Sequence, residues 1–541
     1  MRITLPRRRL LPAAATTALA LVLVSCGGGQ SADAGDEPVE GGQLTVALRD
    51  EPVQLNPLVD QGSGAHSVRP VVDSLVWDNG DGTYSPWLAE SWEVSEDASH
   101  YTFHLRDDVT FHDGEHLDAE AVKANFDFVV DPENRSTGST AKLQPEATVV
   151  DEYTLEVQLE APESSFLTLI AAPYFGILSP RQLQDDPESL ADTLIGTGPF
   201  VFDEWVRGQS LTYTKNEDYA WGPEGTHGGP AYLDSIRYVF LPEDQTRYNA
   251  LLTGEADMVD YIPAEYNQEV LDSDEYTSDS FLLPGVGYTL HLNTRQEPFD
   301  DVRVRQALLH GLDREGIVAS STFGAYPVQE YLAETTPDFK QDLENTIEFD
   351  PDLANQLLDE AGWDERDSEG YRTRDGERLS TEVPFNSENQ LDQRTLEQVQ
   401  IDARELGFEV NLLPVPAAEH SERMYNGDYG ILASFQSEST GMQLWRLYGS
   451  DNVSDGETIG SNASFLSDPE LDELLAQARQ SADPEERAGY YGQAQELLPE
   501  LAPAVPLHSR ARTFAAQPYV GGVGWDYAWP QPYLYEAWVN R

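Results

Sequence analysis

One cysteine, Cys26, serves a chain of 541 residues. No disulfide can form within whatever folds downstream of it, so a buried apolar core must hold the structure together. More than 500 residues exceed what one core supports, and the sequence predicts at least two lobes. The place of that cysteine is also informative. Arg2, Arg7, Arg8 and Arg9 make a basic start, and Leu10 to Val24 is apolar and uncharged. That run is shorter than the roughly 20 apolar residues of a membrane-crossing helix and fits the core of a secretory signal.

The run ends in Leu23-Val24-Ser25-Cys26 and is followed by Gly27-Gly28-Gly29. It is similar to a bacterial lipobox, which makes residues 1–25 a lipoprotein signal peptide and Cys26 the lipidated first residue of the mature chain. Stable anchoring takes more than one acyl chain, and lipoprotein processing supplies them. Arg7-Arg8-Arg9 leaves twin-arginine export open. Residues 26–42 are rich in Gly, Ser and acids and read as a flexible, lipidated tether. Removing residues 1–25 takes away four arginines and no acid, leaving 29 basic against 96 acidic residues, a net charge of −67. Such a chain repels phosphate backbones, which argues against nucleic acid as a partner. The acids are dispersed among apolar residues and read as a solvating surface, suited to high salt.

Order is expected to begin at Gln43-Leu44-Thr45-Val46-Ala47-Leu48, a β-branched and apolar run bounded by Gly42 and Asp50. Tyr101 to Arg106 alternates at period two, so it reads as a strand, and Val109 to His112 as its continuation. Asp118 is a plausible N-cap for a helix over the following residues. Further strands are predicted at Tyr153 to Leu159, Leu211 to Lys215 and Ile236 to Leu241. Helices are predicted at Val302 to Leu312, Asp352 to Ala361, Gln393 to Leu406 and Pro469 to Gln480. Phe408 to Leu412 follows Gly407 as a strand, and this helix–Gly–strand succession argues for an α/β fold.

Several blocks resemble one family, the extracytoplasmic solute-binding proteins of the peptide, dipeptide and nickel type (family 5) served by ABC importers. They are Leu88 to Val94 with Phe111-His112-Asp113-Gly114; Gly196 to Phe200 with Lys215 to Tyr219; and Ala250 to Asp257. Phe299 to Leu308, Leu357 to Trp363 and Ala502 to Leu507 complete the set, in order along the mature chain. Locally these blocks read as structural. Gly196 and Gly198 supply turn freedom, Trp363 anchors a core beneath a helix C-cap, and Arg303 and Arg305 pair with surface acids.

The resemblance implies a two-lobed periplasmic-binding-protein-like clamp of type II with an extra inserted subdomain. Residues 43–85 are the first part of lobe I, 86–195 the inserted subdomain and 196–292 the second part. Residues 293–507 are lobe II, and 508–541 return to lobe I. It implies a monomeric receptor on the outer face of the plasma membrane. The receptor takes a small-molecule ligand, a peptide or peptide-like solute, and delivers it to ABC permease subunits, with no cofactor. A metal chelate, an oligosaccharide or another non-peptide solute remains the alternative, and a surface hydrolase a further one.

In peptide-binding members a stretch reading Gly-Trp-x-x-Asp places the Asp on the ligand's amino terminus. Here Tyr429 to Glu438 is the comparable stretch, with Phe435 at the Trp position, Glu438 at the Asp position and Gln436 between them. Glu438 is one methylene longer than Asp, and the loop before Ser450 is about two residues shorter. Trp445, Tyr174 and the Gln61-Gly62-Ser63 loop are further candidates for the cleft, and Arg394 for a ligand carboxylate.

His112-Asp113-Gly114-Glu115-His116 matches H-x-x-E-H in letters, but that chemistry needs both His on one helix face, and Asp113-Gly114 reads as a turn. No metal site is expected. No nucleophile elbow, Walker loop or dinucleotide fingerprint is present, and the lone thiol is used at Cys26, so no catalytic residue is assigned.

Overall fold

The structure is a computed structural model that describes residues 37–59, 64–134, 136, 139–343, 346–454 and 460–541. The signal segment, Cys26 and the Gln61-Gly62-Ser63 loop lie outside the described residues. Gln43–Leu48 is a strand with Leu44, Val46, Ala47 and Leu48 buried. It runs parallel to both neighbours, Ser235–Phe240 and Met258–Asp260, near the centre of a seven-stranded sheet. The order is Thr277–Leu282, Ala511–Ala516, Met258–Asp260, Gln43–Leu48, Ser235–Phe240, Ser210–Lys215 and Phe200–Val206. Three distant parts of the chain therefore share one sheet.

A four-stranded antiparallel sheet, Ala89–Val94, His100–Leu105, Thr154–Gln158 and Glu146–Asp151, is built into this lobe. Its helix Ala119–Val130 starts where predicted, because Asp118 Oδ1 accepts from Ala121 N at 2.8 Å. Val109 to His112 does not form a strand; Thr110 makes only an isolated bridge to His116. The chain turns back at Asp113-Gly114, with Gly114 at φ 85°. The ring of His112 reaches the Gly198 carbonyl at 2.9 Å. The first pair of glycines also works differently from expectation. Neither Gly196 nor Gly198 has a positive φ; a Cβ on either would stand 2.2 or 2.5 Å from the Val71 backbone, so close approach is what requires them.

The second lobe has a three-stranded antiparallel sheet, Ile431–Ser437, Gly285–Leu292 and Ala504–His508, beside a parallel pair, Ser380–Asn386 and Glu409–Val415. Helices Val302–Gly311, Pro351–Glu360, Gln390–Leu406 and Pro469–Arg479 cover it close to their predicted bounds. Trp363 is 3 % exposed just after Gly362, as a helix-end anchor should be. Arg303 pairs with Asp301 at 2.6 Å. Arg305 instead is buried and donates to the carbonyls of Phe299 at 2.7 Å and Leu501 at 2.8 Å.

Two large apolar cores result. One gathers residues from Leu44 to Met258 and from Phe514 to Val539; the other runs from Val286 to Leu507. Strand Gly285–Leu292, assigned to lobe I by sequence, places Val286, Tyr288, Leu290 and Leu292 in the second core because it pairs with strands of that lobe on both edges. The crossings thus fall at Leu283-Pro284 and Ser509-Arg510, where each strand of one sheet runs almost directly into the other. They lie side by side: Leu283 N donates to Arg510 O at 2.8 Å. Such short paired connections absorb rotation while keeping the lobes in register.

Two measurements check this packing. Gly196→Ala should lower urea stability by about 1–3 kcal/mol, since its Cβ meets backbone that cannot move aside. His291, fully buried in Gly285–Leu292, has neither ring nitrogen bonded among the described residues, and burial pushes its pKa down to about 4. The folded chain keeps it neutral while the unfolded chain takes a proton near pH 6.5. Its contribution is therefore full above that pH and falls, by up to about 3 kcal/mol, as pH drops toward 4. His291→Leu should flatten the corresponding loss of urea midpoint between pH 7 and 4.5.

Candidate functional site between the lobes

Strand Ile431–Ser437 starts buried at Ile431, Leu432 and Ala433 and emerges half-buried from Ser434 onward. It carries the chain out of the second core to the seam. Gly285, at φ 92°, pins its end: a Cβ there would stand 2.5 Å from Glu438 N. Helix Met442–Tyr448 follows at once. Arg446 on that helix donates from Nη1 to Glu438 Oε2 at 2.8 Å, and the Glu438 side chain is 11 % exposed. Burial pushes the Glu438 pKa up, and the Arg446 charge pulls it back. From the first lobe the single turn Pro173–Phe175 presents Tyr174 to this pair. Burial, then the Glu438 charge, hold the Tyr174 hydroxyl far above its usual pKa. Tyr174 is buried, meets Trp529 edge-on at 5.7 Å, and its hydroxyl bonds to no group among the described residues.

Beside this cluster the lobes are clasped. Glu163 of the inserted subdomain is fully buried and accepts from Arg479 Nε at 2.8 Å. Its other oxygen takes the Ser165 hydroxyl at 2.7 Å. The Arg479 guanidinium lies 3.7 Å over Trp445. Ser164 N donates to Arg479 O at 2.8 Å, and the Ser165 hydroxyl approaches Met442 Sδ at 3.0 Å. Met442 belongs to the first core although its helix belongs to the second lobe, and Trp445 packs against both. Next to them an enclosed cavity of about 20 Å³, with Tyr84, Tyr527, Asp338 and Arg487 in its wall, has room for about one water.

The hinge end is cationic and aromatic. Arg510, at one crossing, lies 4.6 Å over Phe435 and reaches Asp392 at 3.4 Å, while its Nε is buried without a partner among the described residues. Burial raises Asp392 to about 6 against the pull of Arg510. Arg394 lies over Phe323 and donates to Ser321 O at 3.3 Å, on the same helix as Asp392. Gln436 accepts from Gln443 Nε2 at 2.8 Å.

Glu438, Tyr174 and Trp445 thus come together from two lobes, and Phe435 and Gln436 share the strand that leads to them. Sequence reasoning missed Arg446, Arg479, Glu163 and Arg510. Arg479 sits in the last turn of helix Pro469–Arg479, where a cation is ordinary, and its partner Glu163 is 316 residues away, beyond any local pattern. Among the described residues no group of three or more His, Cys, Asp or Glu is placed to hold a metal ion, and Glu115 of the H-x-x-E-H match pairs with Arg181.

The model of the bacterial extracellular solute-binding proteins, family 5, matches residues 83–454. This chain belongs to that family. Family members bind solutes for ABC transporters and are not enzymes. The nickel-binding periplasmic protein of Escherichia coli (strain K12) is 28% identical over 398 residues, 72% of this chain and 74% of that protein. The glutathione-binding protein GsiB of Shigella dysenteriae serotype 1 (strain Sd197) is 28% identical over 434 residues, 78% of this chain and 79% of that one. The crystal structure of NikA from Brucella suis in complex with Fe(III)-EDTA superposes with a TM-score of 0.77 at 27% identity, covering 91% of this chain and all of that one. Among the described residues no helix is long and apolar enough to cross a membrane.

Arg479→Met leaves Glu163 buried without its cation. Small-angle scattering of the ligand-free chain should then report a larger radius of gyration, and ligand affinity should fall more than tenfold.

Proposed function

We propose that this chain is the lipid-anchored, extracytoplasmic receptor of an ABC importer that captures a peptide or peptide-like solute between its lobes. The observation that carries this reading is Glu438. It stands at the end of a strand that leaves the core for the seam, with Oε1 unbonded among the described residues and Tyr174 of the other lobe facing it. A buried carboxylate makes a strong charge-assisted bond to an amino group. The glutathione-binding relative supports a peptide-like ligand, since glutathione is a tripeptide. Anchoring rests on Leu23-Val24-Ser25-Cys26 behind a basic start and an apolar run. A ligand shifts the lobes toward closure only if it binds the closed form better; a shift from 1:99 to 99:1 takes about 5.5 kcal/mol.

Mass spectrometry of small molecules released from purified protein is the direct test. A peptide-like amine is the expected solute, and release of only a metal chelate or a sugar overturns the ligand class. With the released amine in hand, Glu438→Gln should weaken its binding by more than tenfold, about 1.4 kcal/mol. Unchanged affinity removes Glu438 from the site.

A further inference from the structure

Glu438 and Arg446 satisfy each other through a single bond, Nη1 to Oε2, and leave most of their capacity unused. As a pair they are neutral. A lone ammonium brought to Glu438 would add an uncompensated positive charge where water is scarce. Arg446 keeps its remaining N–H donors unbonded among the described residues. The missing groups are therefore a cation at Glu438 Oε1 and an anion by Arg446. Tyr174, a buried residue whose hydroxyl bonds to no group among the described residues, stands beside the pair.

We propose that Glu438, Arg446 and Tyr174 form a subsite for a zwitterionic α-amino-acid head group. This deepens the peptide-like-solute reading and rests on it. An ammonium and a carboxylate on one carbon are neighbours, as the Glu438 and Arg446 charges are at 2.8 Å. Together they bring no net charge into the seam and complement both protein charges. The amino end of an ordinary α-linked peptide carries an amide in place of that carboxylate and leaves Arg446 unmet. A free amino acid, or a peptide joined through a side-chain carboxyl, offers both charges. Two lobes contribute, so the subsite is complete only when they are together.

Thermal shift and calorimetry on the purified mature chain test this with free L-amino acids, γ-glutamyl dipeptides, α-linked dipeptides, N-acetyl amino acids and amino-acid amides. Free amino acids or γ-glutamyl dipeptides should bind, and their N-acetyl and amide counterparts should bind about 100-fold more weakly. Equal binding of amides or α-linked dipeptides overturns the head-group subsite and leaves the receptor reading standing. If no member of the panel binds, the solutes released from the protein decide. One carrying the head group supports the subsite, one lacking it overturns the subsite alone, and none at all overturns the receptor reading as well. Tyr174→Phe should cost about tenfold in affinity. The double variant Glu438→Gln with Arg446→Met removes both charges and should keep the unfolding midpoint while losing the ligand. Retained affinity in that variant overturns the subsite.

Discussion

The two lobes are joined by two chain crossings placed side by side and hydrogen-bonded to each other, Leu283 to Arg510. Each sheet buries its apolar residues in its own core, which leaves two short connections as the joints between the sheets. With no disulfide to brace either half, the same two cores that stabilise the lobes also define where they can rotate. Arg510 stands at one joint with its guanidinium over Phe435 of the strand that leads to Glu438. Phe435 and the proposed ligand-binding Glu438 lie at the same strand end, a few residues apart.

The seam has a charge logic of its own. A chain with a net charge of −63 repels itself over much of its surface, yet several of its arginines meet where the lobes touch. Arg479 is paired with Glu163, Arg487 with Asp338 and Arg446 with Glu438. Paired in this way they bring polarity without net charge, which a closed, poorly hydrated interface tolerates. Salt screens the outer acids far more than it screens these contacts.

Much of the fold was legible because it follows local rules. Strand Gln43–Leu48 comes from a bounded β-branched and apolar run, and the helices that stop at Gly362 and Gly407 come from glycine. The family blocks supplied the lobes. What was not legible is what joins distant segments. Val109 to His112 has a strand's composition, but a turn and a bond to Gly198 hold it otherwise. Gly196 and Gly198 looked like turn residues, whereas the Val71 backbone decides their size. Strand Gly285–Leu292 changes lobe because of its edge partners, which no local pattern records. At the site, Glu438, Tyr174 and Trp445 came from the resemblance. Arg446, Arg479 and Glu163 acquire meaning only when two lobes meet.

Helix Met442–Tyr448 sends Met442 into the first core and shares Trp445 between both. Parting the lobes would strip that sulfur and one indole face of their neighbours and wet them. The vacant receptor would then wear an oily stripe at its mouth that the loaded one conceals. Loaded and vacant molecules would differ in surface greasiness as well as in shape, and the exposed stripe tends to draw the jaws shut again before any solute arrives.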